Sequence, residues 1–319
     1  MTETRVRIQR RALHGVLLLD KPLGLSSNDA LQKAKWLLRA EKAGHTGTLD
    51  PLATGLLPLC FGAATKFSQV SLDADKSYDA TLKLGVTTTT GDAEGDVVQT
   101  RPVEIDAAKI LAACQAFTGE IDQLPPMYSA LKHEGRALYD YARQGITIER
   151  QPRRVTIHSL TVLGGEGDEL RLAVRCSKGT YIRTLAEDIG EMLGCGAHLS
   201  GLRRTASGPV RVEDAITLDA LAAMNEVERE SLLHPPDSLL ADWPRVELVG
   251  DEAARFLNGL RRRVQASDCE HVRVYESRAL LEGVQSSQAL LGSASIKAGE
   301  LIPGRLLSPQ EVEFQKVTS

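Results

Sequence analysis

The feature that most limits how this chain can fold is the twelve-residue segment 44–55, GHTGTLDPLATG. It contains three glycines, one proline and three threonines. Because glycine and proline interrupt helices and strands, the segment is predicted to be a long loop rather than a regular element. Small residues let the backbone of such a loop approach a ligand closely, and the loop's ionisable side chains are His45 and Asp50.

The residues of this loop leave a structural and a functional role equally open. Asp-Pro is a common turn starter, and glycine-rich loops often merely cross packed elements. Thr-Gly-Thr-Leu beside an aspartate is similar to the aspartyl-phosphate loop of ion-pumping ATPases, but there the aspartate comes first. A phosphate-binding Walker loop is excluded because no Gly-Lys-Ser/Thr closes the segment.

The patterns around the loop predict an α+β domain with a mixed, largely antiparallel sheet, because strands and helices alternate without a regular βαβ rhythm. A buried strand is expected at 15–20, and Ser26 or Ser27 is a plausible cap for the helix that follows. Further segments show the period of strands or of helices. The predicted strands are 76–84, 154–162 and 170–176, and the predicted helices are 104–117, 134–144 and 180–193.

The proline-containing segment 234–245, HPPDSLLADWPR, is the predicted linker. It divides the chain into a larger domain, 1–233, and a smaller, strand-rich domain, 246–319. No apolar run approaches the roughly 18 residues of a membrane span, and the N-terminus does not resemble a signal peptide. A cytoplasmic location is therefore expected.

Charge and cysteine content constrain the partners. The formal net charge is −4, yet basic residues cluster at 1–11, 130–154 and 255–263, while 211–242 carries eight acidic against two basic residues. These clusters fit either solvated faces or a track for a polyanion. Five scattered cysteines without a Cys-x-x-Cys pair predict neither a structural zinc site nor a disulfide framework.

Four motifs, in order along the chain, resemble those of the TruB family of tRNA pseudouridine synthases. They are GVLLLDKPLGLSS (15–27), GHTGTLDPLATGLLPLC (44–60), KSYDATLKLGVTTTTGDAEGDV (76–97) and CSKGTYIRTLAEDIG (176–190). The resemblance covers most of 14–208. It implies a pseudouridine synthase catalytic domain that converts uridine 55, in the T-loop of tRNA, to pseudouridine.

The resemblance also implies roles for individual residues. Asp50 corresponds to the catalytic carboxylate and Tyr78 to the aromatic residue beside the target base. Tyr181 and Arg183 correspond to active-site companions, and Leu202 to an apolar contact. The isomerisation needs neither metal nor cofactor, and none is expected here. Because an arginine lowers the pKa of a nearby carboxyl group, Arg183 is the expected partner of Asp50.

Other residues are expected to contact RNA. His45 is similar to the family residue that inserts into the RNA loop when bases are extruded. Lys21, in the Asp-Lys-Pro motif, is a candidate substrate contact, although support of the catalytic loop is the more direct expectation. The segment 124–152 falls where the family carries an insertion that clamps the tRNA stem-loop. The phosphate-contact candidates there and just beyond are Lys132, Arg136, Arg143, Arg153 and Arg154.

The smaller domain is similar to the PUA-like RNA-binding domain through NGLRRRV (258–264), VRVYES (272–277) and GELIPGRLL (299–307). It lacks the expected glycine-rich turn within 280–298. The expected partner is the tRNA T-stem-loop, with no membrane and no obligate protein partner, and the chain is expected to be a monomer. Two alternatives remain: a synthase of the RNA-guided type acting on other RNA, or a tRNA-folding chaperone in which catalysis is secondary.

Overall fold

A mixed β-sheet forms the framework of the computed structural model, which describes residues 9–277 and 288–318. Its order is β14-β1-β3-β12-β4-β11-β10-β7, with β13 paired to β12 and β2 to β3. The strands are β1 (Gly15–Lys21), β2 (Ala43–His45), β3 (Ala53–Phe61), β4 (Lys76–Leu84), β7 (Gly119–Gln123), β10 (Arg153–Gly164), β11 (Glu169–Cys176), β12 (Ala197–Ser207), β13 (Val210–Arg211) and β14 (Ile216–Thr217). The β1/β14 and β3/β12 pairs are parallel and the others antiparallel, which confirms the predicted α+β fold.

Helices cover this sheet and border the smaller one. They are α1 (Ser27–Leu37), α2 (Ser68–Asp73), α3 (Ala107–Ala116), α4 (Leu138–Ala142), α5 (Ile182–Leu193), α6 (Leu218–Ala223), α7 (Glu226–Ser231), α8 (Asp251–Leu257) and α9 (Pro309–Thr318). Helix α1 begins after Ser26, whose hydroxyl accepts a hydrogen bond from the Asp29 amide at 3.1 Å. Helix α5 buries Ile182, Leu185 and Ile189 against strands β4 and β11. This packing fixes the start of α5 beside the ends of the central strands.

The predicted long loop at 44–55 is shorter than expected, because both of its ends lie in strands. The chain leaves β2 at His45 and enters β3 at Ala53. Gly55 lies within β3 at φ +96°, where a Cβ atom would stand 2.3 Å from the Arg204 carbonyl oxygen. The glycine therefore permits a close approach of two strands rather than a turn.

The predicted helix at 134–144 is largely wrong. A small hairpin of β8 (Lys132–His133) and β9 (Arg136–Ala137) comes first, and only α4 is helical. Glu134 and Gly135 both have positive φ, so they form the hairpin turn instead of a helical turn. Strand β10 begins where the predicted insertion 124–152 ends, and β7 ends where it begins. A second small hairpin is formed by β5 (Val86–Thr88) and β6 (Val97–Thr100).

A five-stranded sheet forms the C-terminal part, in the order β15-β17-β18-β19-β16. Its strands are β15 (Arg245–Val249), β16 (Arg262–Arg263), β17 (Cys269–Ser277), β18 (Ala289–Lys297) and β19 (Glu300–Leu306). Its core includes Ala63 and Phe67 from a 3₁₀ helix that follows β3. The sequence of 280–298 lacks the glycine-rich turn that the resemblance leads one to expect. Residues 280–287 of this segment lie outside the described residues.

The predicted linker 234–245 contacts both sheets. The His234 backbone pairs with Val16 of β1. Asp237 is buried and accepts a hydrogen bond from Arg273 of β17 at 3.1 Å and another from the Tyr275 hydroxyl. Arg273 also donates to the Trp243 and Ala241 carbonyls, at 3.0 and 2.9 Å. The C-terminal sheet is thus fastened to the segment that precedes it.

Candidate active site

A cleft of about 380 Å³ opens beside the 46–52 loop, between the ends of β4 and β12 and the start of α5. It brings together five residues that the sequence predicted, namely Asp50, Tyr78, Tyr181, Arg183 and Leu202. Lys76 and Arg204, which were not predicted, also line it. His45 and Lys21 do not line this cleft.

The loop that carries Asp50 is held from several sides. The Ser27 hydroxyl accepts from the Leu49 amide at 2.7 Å and donates to the Leu49 carbonyl at 3.0 Å. On the other side, Thr46 is fully buried and accepts a hydrogen bond from the Ser71 hydroxyl at 2.9 Å. The Gly24 amide donates to the Pro51 carbonyl at 2.9 Å. These bonds fix the backbone immediately before and after Asp50, so its carboxylate has a defined direction.

Asp50 and Arg183 form an ion pair at the wall of the cleft, as the sequence predicted, with 3.0 Å between Oδ2 and Nη2. The side chain of Asp50 is 47% exposed, whereas that of Arg183 is 9% exposed. The guanidinium also donates to the Tyr128 carbonyl at 2.6 Å and to the Thr90 carbonyl at 3.2 Å. Its position is therefore set by the protein, and the carboxylate faces both Arg183 and the open cleft.

Asp92 is a second carboxylate that contacts Arg183, and sequence reasoning did not single it out. It is 3% exposed, and its Oδ2 lies 3.5 Å from Arg183 Nη1. Its other oxygen accepts from the Thr90 hydroxyl at 2.5 Å and from the Glu94 amide at 3.1 Å. Asp92 thus contacts the guanidinium on its buried side, whereas Asp50 contacts it on the side that faces the cleft.

Tyr78 presents a half-buried ring to the cleft, beside the Arg204 guanidinium. Burial raises the pKa of the Tyr78 phenol, while the Arg204 charge opposes that rise. Arg204 is 1% exposed and donates from Nε to the Leu56 carbonyl at 2.7 Å and from Nη2 to the Gly47 carbonyl at 3.1 Å. It therefore connects β12 to β3 and to the start of the 46–52 loop. Alternation along β12 from Leu202 could have pointed to it.

Tyr181 and Leu202 complete the cleft wall. The Tyr181 backbone exchanges two hydrogen bonds with the buried Gln123 side chain, at 3.0 and 3.2 Å. Burial raises the pKa of the Tyr181 phenol. Leu202 pairs with Ala53 in the sheet and packs between two hydrophobic clusters. Both residues give the cleft an apolar wall with fixed backbone positions.

Lys21 lies in the protein interior with no exposed surface. Its ammonium donates to the Pro22 and Leu25 carbonyls at 2.9 and 2.6 Å. Burial lowers the pKa of Lys21 to about 8, and the Asp50 charge partly offsets this. The adjacent Asp20 accepts two hydrogen bonds from Arg203, at 3.0 and 2.8 Å. Because the Gly24 amide in turn donates to the Pro51 carbonyl, this geometry favours support of the 46–52 loop, the more direct of the two roles expected for Lys21.

His45 lies in the short strand β2, opposite Leu59 of β3. The side chain is half-buried, and burial together with the Arg204 charge lowers its pKa. The imidazole is therefore mainly neutral at pH 7.

The five predicted phosphate contacts are all exposed, but they differ in their neighbours. Arg154 has Asp122 at 3.4 Å and Glu120 at 3.7 Å. Arg136 and Arg143 stack over the rings of Tyr141 and Tyr139. Lys132 and Arg153 form no ion pair within residues 9–277 and 288–318.

The other two basic clusters are partly neutralised. Arg261 pairs with Glu300 at 3.2 Å, and Arg262 with Glu252 at 3.2 Å. Near the N-terminus, Arg11 pairs with Glu226 at 2.6 Å and also with Glu230. Arg5 and Arg7 of this cluster lie outside the described residues.

Among the described residues, no group of three or more His, Cys, Asp or Glu side chains is arranged to hold a metal ion. Within the same residues, no helix has the length and hydropathy needed to cross a membrane.

Comparison with known proteins identifies relatives of the whole chain. Residues 35–182 match the model of the TruB family pseudouridylate synthase N-terminal domain, and 183–241 match the tRNA pseudouridylate synthase B C-terminal domain. The chain is 57% identical to tRNA pseudouridine synthase B of Verminephrobacter eiseniae (strain EF01-2), over 97% of this chain and 93% of that protein. It is 56% identical to the Burkholderia mallei (strain ATCC 23344) protein of the same name, over 95% and 97%.

A solved structure shares the fold at lower identity. It is described as an H/ACA RNP bound to a substrate RNA containing 2'-deoxyuridine. The match has a TM-score of 0.68 and 27% identity, and it covers 95% of this chain and 87% of the other. The similarity therefore extends over the catalytic and the C-terminal parts together.

Proposed function

The chain belongs to the TruB family of tRNA pseudouridine synthases, which are isomerases; on that premise we propose that it converts uridine 55 in the tRNA T-loop to pseudouridine, with Asp50 as the catalytic carboxylate. One observation carries the proposal. The Asp50 carboxylate lies on a fixed loop, 3.0 Å from the buried Arg183 guanidinium, and lines a cleft with Tyr78 and Leu202. Such a cleft suits a flipped pyrimidine, and no other reactant is required.

The reaction begins with extrusion of the uridine from the folded T-loop, which costs a few kcal/mol. Stacking on Tyr78 and contact with Leu202 offset that cost inside the cleft. His45, at the edge of the loop, is proposed to fill the space that the base leaves. As a mainly neutral imidazole, it would do so by contact and hydrogen bonding rather than by charge.

Asp50 must be ionised to act as a nucleophile or as a base. The Arg183 guanidinium contacts this carboxylate at 3.0 Å and holds it at the wall of the cleft. The glycosidic bond from C1′ to N1 then breaks, the uracil rotates, and C1′ is joined to C5. A proton leaves C5 and N1 regains one, so the product is an isomer of the substrate.

The test is tritium release from a tRNA transcript labelled at uracil C5. Release by the wild-type protein is expected, and a transcript with cytidine in place of uridine 55 should release none. Release from that second transcript would assign the activity to another position. Failure to release tritium from either, with tRNA binding intact, would contradict the enzymatic proposal.

Tyr78→Phe tests a second role for the tyrosine, which is removal of the C5 proton by its hydroxyl. The substitution keeps the stacking ring but removes the hydroxyl that contacts Arg204. We expect turnover to fall by about 10²-fold or more, the usual contribution of a general base. Single-turnover tritium release measures this. Full activity would leave Tyr78 with stacking alone.

The exposed cations of 132–154 are proposed to bind phosphates of the T-stem. If they do, the logarithm of the affinity should fall with the logarithm of the salt concentration by about 0.9 per phosphate contact on duplex RNA. Arg143→Gln should reduce this slope by about one contact. Arg154→Gln is the matched comparison and should reduce it less, because Asp122 and Glu120 already neutralise Arg154. A slope unchanged by either substitution would contradict the clamp.

We also propose that the enzyme acts as a monomer without an obligate protein partner, in the cytoplasm where tRNA is modified. The high identity to relatives named tRNA pseudouridine synthase B supports tRNA as the substrate of this enzyme. A single purified chain that modifies a tRNA transcript without guide RNA would distinguish it from an RNA-guided synthase.

A further inference from the structure

Two buried cations, Arg204 and Lys76, lie at the cleft without carboxylate partners. Arg204 is 1% and Lys76 is 7% exposed, and both line the cleft. The Lys76 ammonium donates to the Ser71, Leu72 and Ala74 carbonyls at 2.9, 2.7 and 2.6 Å. Within the described part of the chain, neither residue forms an ion pair. The acids nearest in sequence, Asp73 and Asp75, pair with Lys178 and Arg175.

This arrangement is unfavourable in the empty protein. Burial, together with the neighbouring Arg204 charge, lowers the pKa of Lys76 to about 8, although the charges of Asp73 and Asp75 act in the opposite direction. Burial also lowers the pKa of the Arg204 guanidinium. Carbonyl groups accept three hydrogen bonds from Lys76 and two from Arg204, but these dipoles do not cancel two like charges. Asp50 balances the charge of Arg183, whereas, among the described residues, the positive charges of Arg204 and Lys76 have no carboxylate partner at the cleft.

The chemistry of the proposed reaction produces a matching negative charge. When the bond from C1′ to N1 breaks, its electron pair stays with the base, which becomes a uracil anion. The sugar is left electron-deficient, and Asp50 satisfies it either by bonding to C1′ or by taking the C2′ proton. When C1′ then bonds to C5, Asp50 either leaves C1′ or returns the proton to C2′, so the negative charge passes from the base back to the carboxylate. The C5 proton is then lost and N1 is protonated, which gives the neutral product base.

We propose that Arg204 and Lys76 stabilise the uracil anion between bond cleavage and bond re-formation. The inference rests on the proposed function. Fixed positive groups beside a developing negative charge lower the barrier because they need no reorganisation during the reaction. The competing explanation is purely structural. Arg204 bonds Gly47 and Leu56, on either side of Asp50, so its loss could simply displace the catalytic loop.

The two explanations differ in their dependence on the leaving group. We would compare RNA T-arms that carry uridine or 5-fluorouridine at position 55, because fluorine makes the uracil anion intrinsically more stable. Glycosidic cleavage is measured under single-turnover conditions as loss of the nucleoside from nuclease digests. The variants are Arg204→Gln and Lys76→Gln. Ser71→Ala is the control, since it removes a bond to Thr46 behind the loop without changing charge.

Arg204→Gln should slow cleavage of uridine by about 10²-fold. The same substitution should slow 5-fluorouridine by a clearly smaller factor, because that base needs less help as a leaving group. Lys76→Gln should likewise slow cleavage of uridine by a larger factor than cleavage of 5-fluorouridine. Ser71→Ala should slow cleavage of both substrates by the same factor. Equal factors for both substrates in Arg204→Gln and Lys76→Gln would overturn the inference in favour of a structural clamp.

Further variants protect the test against misfolding. If Arg204→Gln fails to fold by circular dichroism, Lys76→Gln still tests the charge. Arg204→Lys keeps the positive charge but loses the planar hydrogen bonds of the guanidinium. The ratio of its cleavage rates for 5-fluorouridine and uridine should therefore equal that of the wild type. Inactivity of the wild type on both substrates would reject the proposed function itself, whereas equal factors with an active wild type reject only this inference.

Discussion

Asparagine in place of Asp50 should abolish tritium release from the tRNA while leaving tRNA affinity nearly unchanged. We expect turnover to fall by about 10⁴-fold or more, as when an essential group that acts on the reacting atoms is removed. The amide can neither bond to C1′ nor take a proton from C2′. Its size matches the carboxylate, and the bonds of the flanking backbone at Leu49 and Pro51 do not involve this side chain.

The measurement is single-turnover tritium release, with tRNA affinity determined in parallel by filter binding. Retained binding separates loss of chemistry from loss of the fold. The same variant tests the chaperone alternative in a tRNA refolding assay, since a protein that acts mainly by unfolding the tRNA elbow would keep that activity. Substantial tritium release by Asp50→Asn would show that another group performs the chemistry.

The spacing of apolar residues along the sequence was sufficient to predict most of the strands and helices that line the cleft. Strand β4 covers the predicted 76–84, and α5 lies within the predicted 180–193. Both have an alternating or amphipathic pattern that packing against one core requires. The helix at 134–144 failed because its apolar spacing is short and a Glu-Gly turn at positive φ interrupts it.

The residues behind the cleft were harder to predict, because their roles depend on contacts across the chain. Asp92 meets Arg183 from a turn 91 positions away in sequence, and nothing in its neighbours distinguishes it from a surface aspartate. Arg204 looks like a surface strand arginine until the close approach of Gly55 places it under the loop. The Asp50–Arg183 pair itself was predicted only through the resemblance of its motifs, not from spacing.

Lysine in place of Arg183 should also cause a large loss, even though the charge is kept. The guanidinium meets Asp50 and the Tyr128 carbonyl through Nη2, and Asp92 and the Thr90 carbonyl through Nη1. A lysine ammonium is a single point on a flexible stem and cannot reproduce this planar fork. We expect turnover to fall by about 10²-fold, the scale of losing one preorganised electrostatic contact.

Arg203→Lys is the matched control for that substitution. Arg203 likewise pairs with an aspartate, Asp20, through two contacts at 3.0 and 2.8 Å, but it does not line the cleft. If the arginine fork matters because it aims Asp50, single-turnover release should collapse in Arg183→Lys and stay near the wild-type rate in Arg203→Lys. Near-normal turnover by Arg183→Lys would mean that charge alone suffices beside Asp50. Equal losses in both variants would assign the effect to stability of the domain, because only Arg183 contacts the reacting carboxylate.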